Sequence, residues 1–504
     1  MTEQAPSPKN ASRFSTLPQG EGGLFRLALI IVAAITLIRV IVLLVSPLQL
    51  YPDEAQYWWW AQTPDWGYFS KPPMIGWIVW LTTAVFGNSE WAIRLASPLL
   101  HGATALLIYG IGKRTFDERT GFWSALAYAT LPGISYSSGL VSTDVPLLFF
   151  WALALYAFLR AMAEPGWQWV LVCGLALGLG FETKYAMAYF FLGAGLACFV
   201  SAEARKLVLS ARGLAIFAIG LLLLVPNVLW NAAHGFPTVA HTGHNADWSH
   251  ARYNPLSVLS FLGGQFGVFG PVMMAGLVLA LWRQRNAGTR LLACFSVPIV
   301  VLIALQSFIS EANANWAAVA YVAATPLAVA ALLQLWQGRA LWASLAFDGL
   351  VMVLLWIILV SPGFADRIGQ GNAFKRQEGW RELGQSVLAH APGHDVIVAS
   401  NRSTFAELLY YARPRTVAMR MWDRDRHDDD HFQMTMRLTV PAPRVLLVLA
   451  PDERGEVLAT FDSQTLIETV TIPVGGHRTR TTLLIDAQNY RGPQTPHATS
   501  RVSP

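Results

Sequence analysis

Long apolar runs, separated by short polar loops, fill most of the chain up to residue 361. A helix that crosses a bilayer needs about 20 predominantly apolar residues. The pattern predicts eleven such segments, although some are shorter and their ends are poorly defined. They are 24–46, 91–113, 120–134, 140–161, 167–182, 185–201, 212–232, 257–282, 290–309, 315–337 and 340–361. The first 361 residues are therefore expected to form a polytopic α-helical membrane domain.

The apolar run 74–88 fits either a span or a helix at the membrane surface, and charge placement decides between them. Cytoplasmic loops of membrane proteins are enriched in Lys and Arg. If 74–88 does not cross and the N-terminus is cytoplasmic, the inside loops carry most of the basic residues, and the outside loops carry only Lys71, Lys184 and Arg252. The inside set is Lys113, Arg114, Arg119, Arg160, Arg205, Lys206, Arg212, Arg283, Arg285, Arg290 and Arg339. We therefore predict that 74–88 is interfacial, like the aromatic helix 53–62 before it, and that the C-terminal part lies outside.

The pattern changes after residue 361, where charged residues become frequent and short strand-like runs appear. Helices are predicted near 375–390, 404–412 and 428–438, with Thr404 and Glu407 as a capping box. Strands are predicted at 395–400, 444–450, 466–474 and 478–487. This gives four regions: a disordered cytoplasmic tail (1–20), a membrane domain (21–361), a small periplasmic α/β domain (362–490) and a flexible tail (491–504).

Composition supports this division. The chain is 54% hydrophobic and 13% charged, whereas a typical soluble domain is about 25% charged. A single soluble domain is thus excluded. The net charge of +5 gives no reason to expect a nucleic-acid partner. The three cysteines lie in apolar segments without metal-ligand or disulfide spacing.

Carboxylates at the outer membrane face are the first candidates for chemistry. Asp53 and Glu54 follow the first span directly, and Asp144 opens the span 140–161. Each has a structural alternative as a helix cap. Acidic residues at membrane depth usually face a cavity rather than lipid. We therefore expect Asp53, Glu54 and Asp144 to be catalytic candidates.

The few cations on the same face are candidates for binding an anionic lipid ligand. Lys71 precedes two prolines, and Lys184 lies between two short spans. A lysine is a good point-charge partner for phosphate, although snorkelling to the interface is the simpler alternative. Arg39 in the first span and Arg94 at the second are weaker candidates.

Polar residues of the outer loops complete the set of substrate-binding candidates. The loop 233–256 contains His234, His241, His244 and His250, whose spacing matches no strong zinc pattern. Ordinary loop polarity is the alternative for these histidines. His234 and His241, together with Tyr68, are included as substrate-binding candidates.

The order of several short motifs resembles one family. These motifs are Tyr51-Pro52-Asp53-Glu54 with its aromatic helix, Lys71-Pro72-Pro73, Ser142-Thr143-Asp144, Gly178 to Lys184, Asn231 to Pro237, Asn315-Trp316, and the tail segment Asn401-Arg402 to Tyr410-Tyr411. In this order and on one membrane side they resemble the GT-C polyprenyl-phosphate-sugar glycosyltransferases. The resemblance is to the bacterial branch of 4-amino-4-deoxy-L-arabinose lipid A transferases and to protein O-mannosyltransferase-like enzymes of families 39 and 83.

The resemblance implies a GT-C fold, a multi-pass location in the bacterial inner membrane, a polyprenyl-phosphate sugar donor, and a lipid or glycan acceptor at the outer face. It implies that Asp53 is the leading catalytic carboxylate and Asp144 a second active-site acid, with Lys71 and Lys184 on the lipid phosphate. Some relatives carry an acid where this chain has Ser70, so no metal is predicted, and no cofactor is expected. The alternatives are a lipid-linked oligosaccharide ligase or polymerase, and a lipid flippase or transporter.

Overall fold

A computed structural model describes residues 22–248, 251–283 and 286–493. The predicted cytoplasmic tail 1–20, most of the predicted flexible tail, His250 and Arg285 lie outside the described residues. Within them, helices make up the chain as far as Val360, and a five-stranded sheet with short helices follows.

The helices of the membrane part are short in several places where the sequence predicts one span. They are α1 Gly23–Val45, α2 Pro52–Ala61, α3 Met74–Phe86, α4 Glu90–Arg94, α5 Ala96–Thr115, α6 Glu118–Thr130, α7 Pro132–Ser137, α8 Asp144–Ala163, α9 Gln168–Phe181, α10 Tyr189–Val200, α11 Ala202–Val208, α12 Ala211–Ala233, α13 Pro237–Ala246, α14 Pro255–Phe269, α15 Pro271–Arg283, α16 Ala287–Cys294, α17 Val297–Ile309, α18 Ala320–Gln334 and α19 Arg339–Val360.

Six helical segments of the described chain are long and apolar enough to cross a membrane, and the bent pair α14–α15 brings the number to seven. Three shorter apolar helices, Met74–Phe86, Gln168–Phe181 and Tyr185–Val200, accompany them. The segment 257–282 is not one straight helix, because α14 and α15 are bent by 106° around Gly270, and its crossing of the membrane as one span stays a prediction. The count of eleven crossings stays a prediction.

The two helices of the first outer loop are both shorter than a bilayer is thick. The first, α2, begins with Pro52, which cannot donate a backbone hydrogen bond and is therefore well suited to the first turn. The 13 residues of α3 extend about 20 Å, against about 30 Å of hydrocarbon. This length agrees with the interfacial placement predicted for 74–88.

The C-terminal domain is a mixed sheet with short helices. Its elements are α20 Pro362–Arg367, α21 Trp380–His390, β1 Val396–Ala399, α22 Arg402–Tyr411, β2 Ala418–Met421, α23 His431–Met436, β3 Arg444–Leu449, α24 Arg454–Leu458, β4 Phe461–Pro473 and β5 Thr479–Tyr490. The strand order is β2-β1-β3-β5-β4. β1 pairs in parallel with β2 and β3, while β5 is antiparallel to β3 and β4.

Both faces of the central strands are buried, which explains their continuous apolar sequences. On β1, Ile397 and Ala399 join one hydrophobic core, and Val396 and Val398 join another on the opposite face. The first of these cores also contains aromatic residues of α2, such as Tyr57 and Trp58. The C-terminal domain therefore shares a core with the loop that joins α1 to α4 in the membrane part.

One predicted helix cap differs in the structure. α22 begins at Arg402, and the Asn401 side chain accepts hydrogen bonds from the backbone N–H groups of Ser403 and Thr404, at 2.9 and 3.3 Å. Glu407 is fully buried, and neither of its carboxyl oxygens has a hydrogen-bond partner among the described residues. The predicted capping box of Thr404 and Glu407 is therefore wrong, and burial instead raises the pKa of Glu407 well above its usual range.

Candidate active site

Asp53 lies in the first turn of α2, where it meets an arginine from the C-terminal domain. Arg402 donates through Nη1 to Asp53 Oδ1 at 2.9 Å and to Gln56 Oε1 at 2.6 Å. Asp53 and Gln56 are three residues apart on a helix and therefore share one face of α2. Asp53 Oδ2 makes no hydrogen bond within the described part of the chain, and 42% of this side chain is exposed. One carboxylate oxygen is thus held in place, and the other is available.

Asp144 is bound through both of its oxygens. Lys184 Nζ lies 2.7 Å from Oδ1, and Asn315 Nδ2 donates to Oδ2 at 2.6 Å. The three residues come from the start of α8, the segment after α9 and the short helix Ala314–Ala317. Asp144 therefore orients Lys184, whereas Asp53 keeps an oxygen free for chemistry.

Lys71 is the cation of this region that lacks an acidic partner. Among the described residues, no carboxylate oxygen lies within 4.0 Å of its amine. Burial, then the nearby charge of Lys184, lowers the pKa of Lys71, and the carboxylates of Asp53 and Asp144 oppose that shift. A half-buried amine that lacks an acidic partner is well suited to bind an anion.

Backbone contacts hold the two lysine-bearing segments together. Tyr68 N–H donates to the carbonyl of Lys71 at 3.1 Å, and Met74 N–H donates to the carbonyl of Glu182 at 2.9 Å. The second bond joins the start of α3 to the segment that carries Lys184. Lys71 and Lys184 are therefore fixed relative to each other by the chain around them.

An apolar groove opens beside α3, whose first residue follows Lys71 by three positions. Its volume is about 600 Å³, and its lining includes Trp66, Met74, Trp77 and Leu81. The rings of Trp66 and Trp77 meet edge to face, with centroids 5.1 Å apart. Aromatic residues of this kind suit the interface between water and lipid, so the groove can accept a lipid chain.

The two histidine candidates lie in different surroundings. His241 on α13 is half-buried, and burial together with the charges of Lys71 and Arg402 lowers its pKa to about 4. It is therefore neutral at pH 7 and close enough to the site to sense both cations. His234 is exposed, stacks on Trp230 at 4.2 Å and places Nδ1 2.8 Å from the carbonyl of that residue.

The remaining candidates lie outside this cluster. Glu54 and Arg94 form a buried ion pair with an Nη2 to Oε2 distance of 2.6 Å. Arg39 is buried within the bundle and donates to the carbonyl of Ala129. Tyr68 stacks on Trp60 at 4.4 Å, and its hydroxyl donates to the Trp60 carbonyl at 3.2 Å. These contacts show what holds Glu54, Arg94, Arg39 and Tyr68 in the packed structure, and the catalytic or substrate-binding roles expected of them stay predictions.

Sequence reasoning missed the roles of Arg402 and Asn315, although both stand in segments that it quoted. Arg402 is 349 residues from Asp53 in the chain, and Asn315 is 171 residues from Asp144. The only local signal was the preference of Asn401 for a helix N-cap, which locates the start of α22 but does not say what α22 faces.

Comparison with known proteins places these features in a family. Residues 70–230 match the dolichyl-phosphate-mannose-protein mannosyltransferase family. The chain is 38% identical over 397 residues to the lipid A galacturonosyltransferase RgtD of Rhizobium johnstonii, covering 77% of this chain and 83% of that protein. It is 33% identical over 156 residues to the undecaprenyl phosphate-alpha-4-amino-4-deoxy-L-arabinose arabinosyl transferase of Pseudomonas aeruginosa, covering 27% of this chain and 28% of the relative.

The fold has a solved counterpart. The crystal structure of ArnT from Cupriavidus metallidurans bound to undecaprenyl phosphate superposes with a TM-score of 0.63 at 17% identity, covering 93% of this chain and 98% of that one. The polytopic helical architecture with a small C-terminal sheet domain is thus the GT-C fold expected from the sequence. With its long match to RgtD, the chain belongs to the GT-C superfamily of membrane glycosyltransferases.

Proposed function

We propose that the chain transfers a sugar from a polyprenyl-phosphate donor to lipid A at the periplasmic face of the bacterial inner membrane. The observation that carries the proposal is Lys71, a half-buried cation without a carboxylate partner among the described residues, which feels the charges of Lys184 and Asp53. The names of RgtD and of the arabinosyl transferase supply the classes of donor and acceptor. Of the two sugars in those names, galacturonate is favoured by the longer match.

The reaction needs a stabilised leaving group. When the acceptor oxygen bonds to the anomeric carbon, the bond from that carbon to the phosphate oxygen breaks, and negative charge builds on the departing polyprenyl phosphate. Lys71 and Lys184 stabilise that charge from fixed positions in a partly dry site. The adjacent groove takes the isoprenoid chain. A single displacement of this kind inverts the anomeric centre.

Asp53 acts on the acceptor side. Its free Oδ2 takes the proton if the acceptor is a hydroxyl group. If the acceptor is a phosphate, no strong base is needed, and Asp53 orients the acceptor or stabilises positive charge on the sugar. Asp144 keeps Lys184 directed at the donor phosphate.

The orientation follows from the basic residues of the loops. An N-terminus in the cytoplasm and a C-terminal domain in the periplasm place most basic loops inside. The cluster of Asp53, Lys71, Asp144 and Lys184 then faces the periplasm.

The test is the affinity of Lys71→Ala for the donor. With purified full-length protein, a polyprenyl-phosphate sugar and lipid A, we expect the KM for the donor to rise roughly 10- to 100-fold, because a charge-assisted contact to phosphate is lost. Lys113→Ala is the matched control, since Lys113 is a half-exposed lysine paired with Glu118 at 3.3 Å and outside the site. An unchanged KM in Lys71→Ala would refute the phosphate-binding role.

A further inference from the structure

Arg402 is a third cation at the site, and neither the displacement nor the phosphate contacts described above use it. It belongs to the C-terminal domain but reaches the catalytic carboxylate of the membrane domain. About a third of its side chain is exposed. Such a residue either only ties the two domains together or binds part of a substrate.

The hydrogen bonds of Arg402 favour substrate binding. Both of its bonds, to Asp53 and to Gln56, use the same nitrogen, Nη1. Its Nε and Nη2 atoms donate to no residue in the described ranges. A guanidinium group offers two parallel N–H donors that match the two oxygens of a carboxylate. The unused edge of Arg402, formed by Nε and Nη2, can therefore bind a carboxylate. Gln56, which is buried, fixes the orientation of the guanidinium group.

The charges of the site discriminate between donor sugars. The two carboxylates of the cluster are already paired, Asp53 with Arg402 and Asp144 with Lys184, so neither is left for the amine of an amino sugar. A sugar that carries a carboxylate needs a cation apart from those that hold the phosphate. Arg402 supplies that cation on the same side of α2 as the catalytic carboxylate, so the site repels a cationic sugar and accepts an anionic one.

We propose that Arg402 binds the carboxylate of a uronic acid in the donor and thereby sets the sugar specificity of the enzyme. This proposal rests on the proposed function, because it assigns one group of the same donor. It also gives the C-terminal domain a direct part in substrate selection. Arg402 also holds Asp53, so its removal slows the transfer of any sugar, but it slows the transfer of the uronate most.

The experiment compares two matched donors, polyprenyl-phosphate galacturonate and polyprenyl-phosphate galactose, which differ only at C6. We expect the wild-type protein to prefer the uronate in kcat/KM. In Arg402→Gln we expect kcat/KM for the uronate to fall roughly 10- to 100-fold, the range for losing a hydrogen bond to a charged group. With galactose kcat/KM should fall less, because only the contact of Arg402 with Asp53 is lost, so the ratio of kcat/KM between the two donors falls. Arg402→Lys should restore part of the preference for the uronate, since lysine keeps the positive charge but lacks the two parallel N–H donors.

Arg381→Gln is the control for a purely structural role. Arg381 also extends from the C-terminal domain to an acid of the membrane part, with Nη2 2.8 Å from Glu90 Oε1, but it lies outside the site. Its variant should keep the uronate preference. Equal losses with both donors in Arg402→Gln would overturn the proposal.

Failure of the proposed function is recognised separately. A wild-type protein that transfers neither sugar to lipid A would contradict that function. Thermal stabilisation of the protein by each donor would then still decide the role of Arg402. Stronger stabilisation by the uronate, lost in Arg402→Gln, supports the carboxylate receptor, and equal stabilisation by the two donors rejects it.

Discussion

Two neighbouring carboxylates, Asp53 and Glu54, lie in opposite surroundings although they are adjacent in the chain. Glu54 points into the protein, where its oxygens accept hydrogen bonds from Arg94 and from the backbone N–H groups of Tyr51 and Val141. Asp53 points the other way and keeps one oxygen unbonded. The helix that presents one carboxylate to the site is thus anchored by the other.

We expect Glu54→Gln and Asp53→Asn to fail in different ways. Removing one charge of a buried pair costs about 3–5 kcal/mol, so Glu54→Gln should lower the thermal unfolding temperature. Asp53→Asn removes one half of a partly exposed pair, which contributes at most about 1 kcal/mol. It should keep that temperature but reduce kcat by about 10²- to 10⁴-fold, the usual loss for a general base. Thermal unfolding in detergent and single-turnover transfer measure the two effects, and a fully active Asp53→Asn would contradict the assignment.

At the residue scale, the sequence pattern proposed a set of charged candidates but could not tell which of them are paired with each other in the fold. Asp53, Asp144, Lys71 and Lys184 were found because charged side chains are rare on the outer face of an apolar chain. Glu54 and Arg94 are also charged residues of this region, but they are there because each compensates the buried charge of the other. Which of two outer-face charges has a partner depends on contacts distant in sequence, and local patterns carry no information about them.

At the scale of elements, the break between α14 and α15 is the main departure from the predicted spans. Gly270 makes it possible with a φ of 84°, a left-handed conformation that residues with a Cβ atom rarely adopt. A Cβ atom there would also lie 2.7 Å from Asp348 Oδ1. The apolar pattern over 257–282 is continuous, so hydropathy alone predicts one helix, and the backbone of a single glycine decides otherwise.

We therefore expect Gly270→Ala to destabilise the protein by about 1–3 kcal/mol, the usual cost of one strained residue. Gly267→Ala is the matched control, because Gly267 lies within α14 and has open space around its Cβ position. Thermal unfolding of both variants in the same detergent tests this. Equal stability of the two would mean that the bend does not depend on the backbone freedom of Gly270.

Several other elements agree with the sequence pattern because their signals are local. The aromatic helix α2, the interfacial helix α3 and the strands β1, β3 and β5 appear close to the predicted bounds. The strand β2 was missed. It has four residues with alternating burial at the sheet edge, too short a pattern to separate from a loop.

At the scale of the whole molecule, the composition of the chain changes near residue 361, but one hydrophobic core contains residues from both sides of that boundary. Tyr411 Oη accepts a hydrogen bond from the backbone of Leu50 at 2.7 Å, and Trp58 meets Tyr410 edge to face with ring centroids 5.0 Å apart. Gln49 Oε1 accepts from the backbone N–H of Trp380 at 2.6 Å. Charge density predicted two regions correctly, but it could not predict that they fold against each other.

A chain that ends at residue 361 should therefore lose more than Arg402. We expect the truncated protein to enter the membrane but to aggregate on extraction, because the apolar residues of α2 that pack on α22 become exposed. Size-exclusion chromatography of fluorescent fusions measures this. Deletion of 494–504 removes none of these contacts and serves as the control. A monodisperse 1–361 fragment would contradict the shared core.

The shared core also sets an order of events during biosynthesis. Asp53 and Arg402 are separated by 349 residues, and a ribosome that adds about 5–20 residues per second needs roughly 20–70 s between them. During that interval the tryptophans of α2 have been synthesised, but their partner helix α22 has not. Tryptophan rings are stable at the membrane–water interface, so they can stay there until α22 has been made. Folding of this enzyme is therefore completed only after its last domain has been synthesised, and translation errors late in the message prevent assembly of a site whose first residue was made long before.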